Sequence, residues 1–302
     1  MNTREWSDWS CAVAVTTVDE RDLEAAASTV RAVMAEVEAA VSRFTSASDL
    51  ARVNAHAGRF VAVSPLTLAL VELAVGVAER TGAAVTPTVG AALAALGYDD
   101  DITIVRDRAA AAVPLCVSVP TASTAVRIDR DLGRVGVTHG TALDLGATGK
   151  AYAVDEAVRR IGPRARAGVL VSIGGDLAVH GTAPEGWPIA VSETAGAPAE
   201  LIVLDSGALA TSSVVGRRWA ADRHHVVDPR TGACARGPWR TATVWAPTAV
   251  EANVLSTWAL VDANAAAHAL AAERTPARMV TAGGLVQRRH GWPVGQDLVA
   301  AS

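Results

Sequence analysis

Asp144-Leu145-Gly146-Ala147-Thr148-Gly149-Lys150-Ala151-Tyr152-Ala153-Val154-Asp155 is a glycine-rich turn that feeds a helix, expected over Gly149 to Ile161. Lys150 is the chain's one lysine, against 26 arginines. An ammonium is a compact point charge on a thin stem and a guanidinium a broad planar fork, so a single retained Lys marks a position that Arg does not fill. A turn of this kind, with Gly146 and Gly149 ahead of a helix, offers backbone amides and one cation to a phosphate. It is not a Walker motif: the first glycine is too close, and Ala151 stands where Ser or Thr would meet magnesium.

Outward from the turn, Val169 to Ile173 reads as a buried strand ending in Gly174-Gly175-Asp176, and Ala249 to Val261 and Ala263 to Ala272 as helices. Upstream, Cys11 to Val18 alternates as a strand and Glu20 to Phe44 has the spacing of an amphipathic helix. Ser48-Asp49 can cap a helix over Leu50 to Asn54, and Ser64-Pro65 opens another over Leu66 to Arg80. Ala91 to Leu96 is expected as a short helix, and Ile102 to Val105, Val126 to Ile128 and Arg134 to Val137 as β-rich pieces. Short strands follow at Ile189 to Val191, Leu201 to Leu204, Ala242 to Trp245 and Arg278 to Thr281. Helices early and strands late favour an α+β fold over a doubly wound sheet, as one domain over residues 1–302 or two tightly packed subdomains within it.

Hydrophobic residues make up 50% and charged ones 19%, the composition of a folded chain. A net charge of -4, with scattered arginines, argues against a nucleic-acid partner. Cys11, Cys116 and Cys234 are far apart and read as buried thiols of a reducing compartment, neither a disulfide framework nor a zinc site. The N-terminus has no signal-peptide pattern, which makes a cytoplasmic location the expectation. The apolar run from Val61 to Ala78 is broken by Ser64, Pro65 and Glu72 and reads as a core helix, not a membrane span.

Three further segments carry chemistry. Ser172-Ile173-Gly174-Gly175-Asp176 lets a ligand approach the backbone, with Asp176 fixing the turn or a ligand hydroxyl. Ala210-Thr211-Ser212-Ser213 precedes His224-His225-Val226-Val227-Asp228-Pro229-Arg230-Thr231-Gly232, whose end is a tight turn. Adjacent histidines on a strand point to opposite faces, so one is expected to face a site and the other solvent. Asn253 and Thr257 lie one turn apart on one helix face, where two oxygen side chains can share a hard cation such as Mg²⁺.

In this order the segments resemble the ApbE family of flavin transferases over nearly the whole chain. The resemblance also takes in Arg43-Phe44-Thr45-Ser46-Ala47-Ser48-Asp49-Leu50-Ala51-Arg52-Val53-Asn54, Thr81-Gly82-Ala83-Ala84-Val85-Thr86-Pro87-Thr88-Val89-Gly90 and Leu96-Gly97-Tyr98. It implies an α+β fold of the family's own type with FAD in a cleft and Mg²⁺ at its pyrophosphate. The implied reaction cleaves FAD between its phosphates, transfers FMN to a Thr or Ser hydroxyl of an acceptor flavoprotein and releases AMP. Lys150 would be the cation at the pyrophosphate, and His225 the base or orienter toward the acceptor hydroxyl. The metal would take the Ala147 carbonyl, Asn253 and Thr257. Thr148, Asp176 and Asp228 would join the FAD contacts, Thr211, Ser212, Gly174 and Gly175 the flavin side, and Asn54 the adenine end.

The sequence departs from the family where Asn253 stands for a common Asp, Ser172 for Asn, Thr86 for Asp, and Ala151 and Ser213 for Gly. Asn253 removes a full charge from the metal site. At an effective dielectric of about 20, a charge ~4 Å away is worth about 4 kcal/mol before desolvation. Glu251 lies about 200° around the helix and does not compensate. Two other readings stay open: a hydrolase giving FMN and AMP with water as acceptor, and a non-catalytic FAD-binding protein.

Overall fold

The computed structural model describes residues 1–108, 117–194, 197–293 and 295–298. In chain order the strands are β1 (Asn2–Asp8), β2 (Cys11–Thr17), β3 (Phe60–Ala62), β4 (Val126–Asp129), β5 (Arg134–Val137), β6 (Val169–Ile173), β7 (Asp176–His180), β8 (Trp187–Ser192) and β9 (Ala199–Leu204). They continue with β10 (Ala208–Ser213), β11 (Arg218–Ala220), β12 (Arg223–His224), β13 (Val227–Asp228), β14 (Ala233–Cys234), β15 (Trp239–Ala246), β16 (Ala277–Thr281), β17 (Val286–Arg289) and β18 (Gln296–Leu298). The helices are α1 (Leu23–Val41), α2 (Asp49–Ala55), α3 (Pro65–Arg80), α4 (Gly90–Ala95), α5 (Ile102–Asp107), α6 (Ala122–Ala125), α7 (Gly149–Ile161), α8 (Ala249–Val261) and α9 (Ala263–Ala272). None among the described residues is long and apolar enough to cross a membrane.

The chain forms two compact units: Met1–Val33 with Lys150–Gly216 and Gly237–Ser302, and Met34–Gly149 with Arg217–Arg236. The first is built on an eight-stranded sheet, β1-β2-β6-β7-β10-β15-β16-β17, in which every pairing is antiparallel. Successive residues of β10 serve its two faces. Leu209 joins a core with Leu170, Trp187, Ile189, Ile202, Leu204 and Trp292 under the β18-β9-β8 sheet. Ala210 packs with Ala246 and with Ala252 of α8, which lies on β10 and β15. Helix α8 buries residues on nearly all sides, as a mostly apolar helix does.

The second unit holds the antiparallel sheet β3-β5-β4, the ribbons β11-β12 and β13-β14, and α3, whose Leu70, Val71, Ala74, Val77 and Ala78 are buried. Ser64 caps α3 by accepting from the Thr67 N–H, with Pro65 in its first turn. Ser48 caps α2 in the same way through Ala51.

Helices and antiparallel sheets make the protein α+β, as expected, though the chain order is less segregated than its sequence suggests. The N-terminal β1–β2 hairpin joins the sheet formed by the late strands. Residues Ile102 to Val105 are helical, not β. Asp101 caps α5 at the Thr103 N–H, and Ile102 and Val105 point into a cluster with Leu93 and Tyr98, a helical spacing that outweighs their β-branched preference. The cysteines differ too: Cys234 is buried, Cys11 is half-buried, and Cys116 lies outside the described residues.

Glu200 in β9 is fully buried and holds the small sheet to the large one. Its carboxylate meets Arg278 of β16 at 2.8 Å and Arg288 of β17 at 2.9 Å, and accepts from the Trp292 indole at 3.3 Å. Burial works against its charge, but the two guanidiniums outweigh burial and hold the carboxyl below its ordinary 4.5. A depressed carboxyl contributes stability that is present above pH 4.5 and is lost as pH falls through the folded value. Glu200→Ala, which strands buried Arg278, is expected to cost about 3–5 kcal/mol in urea unfolding. Glu200→Gln should flatten the acid limb of stability between pH 4.5 and the folded value, read by unfolding at stepped pH.

Candidate active site

In the second unit, residues 142–149 form a loop held from several sides. The Asn54 amide accepts from the Leu143 N–H at 2.7 Å and donates to the Leu143 carbonyl at 2.9 Å. The Asp144 N–H donates to the Pro87 carbonyl (2.8 Å), and the Gly90 N–H to the Ala142 carbonyl (3.0 Å). A Cβ on Gly90 would meet that carbonyl oxygen at 2.7 Å, so only glycine fits. Arg43 binds the Asp144 carboxylate through Nε at 2.6 Å. Its guanidinium lies over Phe44 and Tyr98, and Tyr98 stacks on Trp219. The other Asp144 oxygen accepts from the Gly146 N–H, and the Thr148 and Gly149 N–H groups return to the Leu145 carbonyl, which winds the chain into α7.

Several separated motifs thus hold one turn. Asn54, expected at the adenine end, has its amide engaged with Leu143 on both sides. Thr148 is buried, and Ala147 sits in the turn itself. Asp228 binds the N–H and guanidinium of Arg230 across the turn 228–232. Burial opposes the Asp228 charge, and Arg230 outweighs it, leaving the carboxyl low. His225 lies just past β12, not on a strand, and both histidines are half-buried, so neither is the solvent-facing partner expected. The His224 backbone instead pairs with the Cys234 thiol, and burial lowers the His224 pKa.

In the first unit, Gly174 turns β6 into β7 with φ 63°, and Gly175 faces the Thr211 carbonyl so closely that a Cβ would sit 2.6 Å from its oxygen. Asp176 is then the first residue of β7, paired with Ala210 and on the α8 side of the sheet. There its Oδ1 accepts from the Asn253 Nδ2 at 2.7 Å. Thr257 Oγ1 donates to the Asn253 Oδ1 at 3.3 Å, and Ser212 Oγ lies 2.8 Å from both Thr257 and Ser256. The structure brings Asp176, Ser212, Asn253 and Thr257 together. Thr211 faces the other side of the sheet, where its hydroxyl pairs with Thr243. Lys150 begins α7 and is half-buried.

Asp155, five residues on in α7, carries a role that sequence spacing did not reveal. Its carboxylate accepts from the N–H groups of Ala249 (2.7 Å) and Val250 (3.0 Å), the first turn of α8. Burial pushes its pKa up, and the two N–H donors oppose that rise. Thr248 caps the same turn through Glu251. One carboxylate therefore ties the lysine-bearing helix to the helix of Asn253 and Thr257, which end-of-helix charge complementarity favours.

The Asp176, Ser212, Asn253 and Thr257 side chains present oxygen acceptors, the donor chemistry of a hard cation. Among the described residues no group of three His, Cys, Asp or Glu could hold a metal. A cation here rests on the Asn253 amide oxygen and the Thr257 hydroxyl with the Asp176 carboxylate behind the amide, and the residues fit Mg²⁺ in kind.

The fold is that of the flavin transferases of known structure. The ApbE protein of Thermotoga maritima superposes with a TM-score of 0.81 at 26% identity, covering 95% of this chain and 96% of its own. The flavinyl transferase ApbE of Pseudomonas stutzeri does so with 0.76 at 20% identity, covering 95% and 94%. Among sequences, the FAD:protein FMN transferase of Treponema pallidum is 27% identical over 266 residues, 78% of this chain and 71% of that protein. The Klebsiella pneumoniae protein of the same name is 28% identical over 262 residues, 82% and 74%. The ApbE family pattern matches residues 8–281, and the chain belongs to that family.

Removing the Asp155 carboxylate strands two N–H groups at the buried start of α8. Asp155→Ala is expected to lower stability by about 1–3 kcal/mol, measured by urea unfolding.

Proposed function

We propose that the protein is an Mg²⁺-dependent FAD:protein FMN transferase. The observation that carries the reading is the Asp176–Asn253–Thr257–Ser212 cluster, on a helix that Asp155 ties to the helix bearing Lys150. A pyrophosphate gathers negative charge as its bridging bond breaks, and a cation, a lysine and helix amides absorb that charge. Asn253, Thr257 and the Ala147 carbonyl would hold Mg²⁺, which supplies Lewis-acid neutralisation at the phosphates.

The chain's own residues do the rest. Lys150 sets its ammonium against the pyrophosphate at the start of α7, where the helix dipole adds to it. Thr148 and the 142–149 turn present backbone to the same group, with Asn54 acting through Leu143 to hold that turn. Gly174, Gly175 and Thr211 border the flavin side, Asp176 and Ser212 stand in the cluster on the α8 face, and Asp228 fixes the turn after His225. The His225 imidazole takes the proton of the acceptor Thr or Ser hydroxyl. That oxygen bonds to the FMN phosphorus, the bridging P–O bond breaks, and AMP leaves.

Incubation with FAD, Mg²⁺ and a flavinylation-site peptide, followed by mass spectrometry, is expected to give the peptide an FMN-sized gain together with AMP. Free FMN with an unmodified peptide would make the protein a hydrolase, and bound FAD with neither product would make it a binder. Lys150→Met should slow turnover about 100-fold. Lys150→Arg should recover little of it, because the planar fork does not replace a point charge.

A further inference from the structure

Asn253 and Asp176 stand 77 positions apart and meet at 2.7 Å, with relative exposures of 7% and 1%. The contact settles which way the amide points. A carboxylate only accepts, so the Asn253 nitrogen must face Asp176, and its oxygen is turned to Thr257. An amide nitrogen cannot ligate a cation. Without the carboxylate, nothing in this hydrogen-bond pattern prevents the amide from rotating its nitrogen toward Thr257.

We infer that Asp176 is a positioning residue of the cation site and carries the negative charge that Asn253 lacks. It acts through the amide, fixing Oδ1 on the Thr257 side and polarising that oxygen by accepting from the nitrogen of the same group. Partners behind a ligand tune metal affinity in this way, and losing one costs about 10- to 100-fold. The inference rests on the cation reading proposed above and adds a residue and a charge distribution to it.

The same geometry predicts the effect of an aspartate at position 253. Asn253→Asp sets two buried carboxyl groups in contact, which must take up a proton or a cation to stay there. Like charges in contact disfavour the folded state until a cation is held there.

The test is calorimetry of Mn²⁺ and Mg²⁺ binding in the presence of FAD, with melting temperature in EDTA and in Mg²⁺ as a second readout. Asp176→Asn should weaken cation binding about 10-fold or more. Combining Asp176→Asn with Asn253→Asp restores a carboxylate–amide pair in reversed order, and should return affinity to at least the wild-type level. Asn253→Asp alone should melt below wild type in EDTA and gain more from Mg²⁺ than wild type does. Asp176→Asn with wild-type affinity, or a double variant no better than Asp176→Asn, would overturn the inference while leaving the cation reading intact. Should Asp176→Asn fail to fold, Asn253→Asp melting like wild type in EDTA and in Mg²⁺ would overturn it. Wild-type protein that binds neither cation with FAD present would overturn both.

Discussion

The Asp155 carboxylate bonded to the first two N–H groups of α8 is the interaction on which the first unit's chemistry depends. Helix α8 is apolar on most of its surface, so packing against β10 and β15 fixes its distance from the sheet more firmly than its position along its own axis. Two N–H···O bonds at its first turn set that position, since a slide of one residue would break both. With the axis set, Asn253 falls opposite Asp176, and Ser256 and Thr257 fall opposite Ser212. The same carboxylate belongs to the helix that carries Lys150. The cation-type cluster and the lysine are therefore held by one local contact within one unit.

The 142–149 turn obeys a different constraint. A turn that presents backbone has few side chains of its own to hold it, and beyond the Asp144 carboxylate on the Gly146 N–H it is held by others. Asn54 reads both backbone groups of Leu143, Pro87 and Gly90 supply main-chain partners, and Arg43 grips Asp144 while packed on Tyr98. Asn54 thereby has a structural reason to be an amide: only a side chain with one donor and one acceptor satisfies an N–H and a C=O together.

What the sequence disclosed follows the range of the forces involved. Helices α7, α8 and α9 and strand β6 lie where hydrophobic period and capping place them, because those signals are local. Strand β1 was not legible. It is an exposed edge strand, and its two-residue turn uses Trp9 and Ser10 at φ 48° and 54°, residues that do not advertise a left-handed turn as Asn-Gly would. In α5 the β-branched run masked an Asp cap and a three-residue burial period. Site residues were legible as motifs, but their pairings were not. Nothing near Asn253 in sequence names Asp176, and Glu251, the carboxylate two residues away, lies about 200° around the helix.

That pairing alters the meaning of the substitution at position 253. Seen along the helix, an amide in place of a carboxylate is a lost charge. Seen across the sheet, it is one charge shared by two residues through a hydrogen bond. Two carboxylates in contact need a cation or a proton before the fold can close over them. A carboxylate and an amide satisfy each other and stay in place without one, so the oxygen offered toward Thr257 is oriented before any cation arrives. Preorganisation of this kind trades electrostatic pull for geometry. A cation meeting the pair finds a weaker field than two carboxylates would set up, and a ligand that needs no rearrangement.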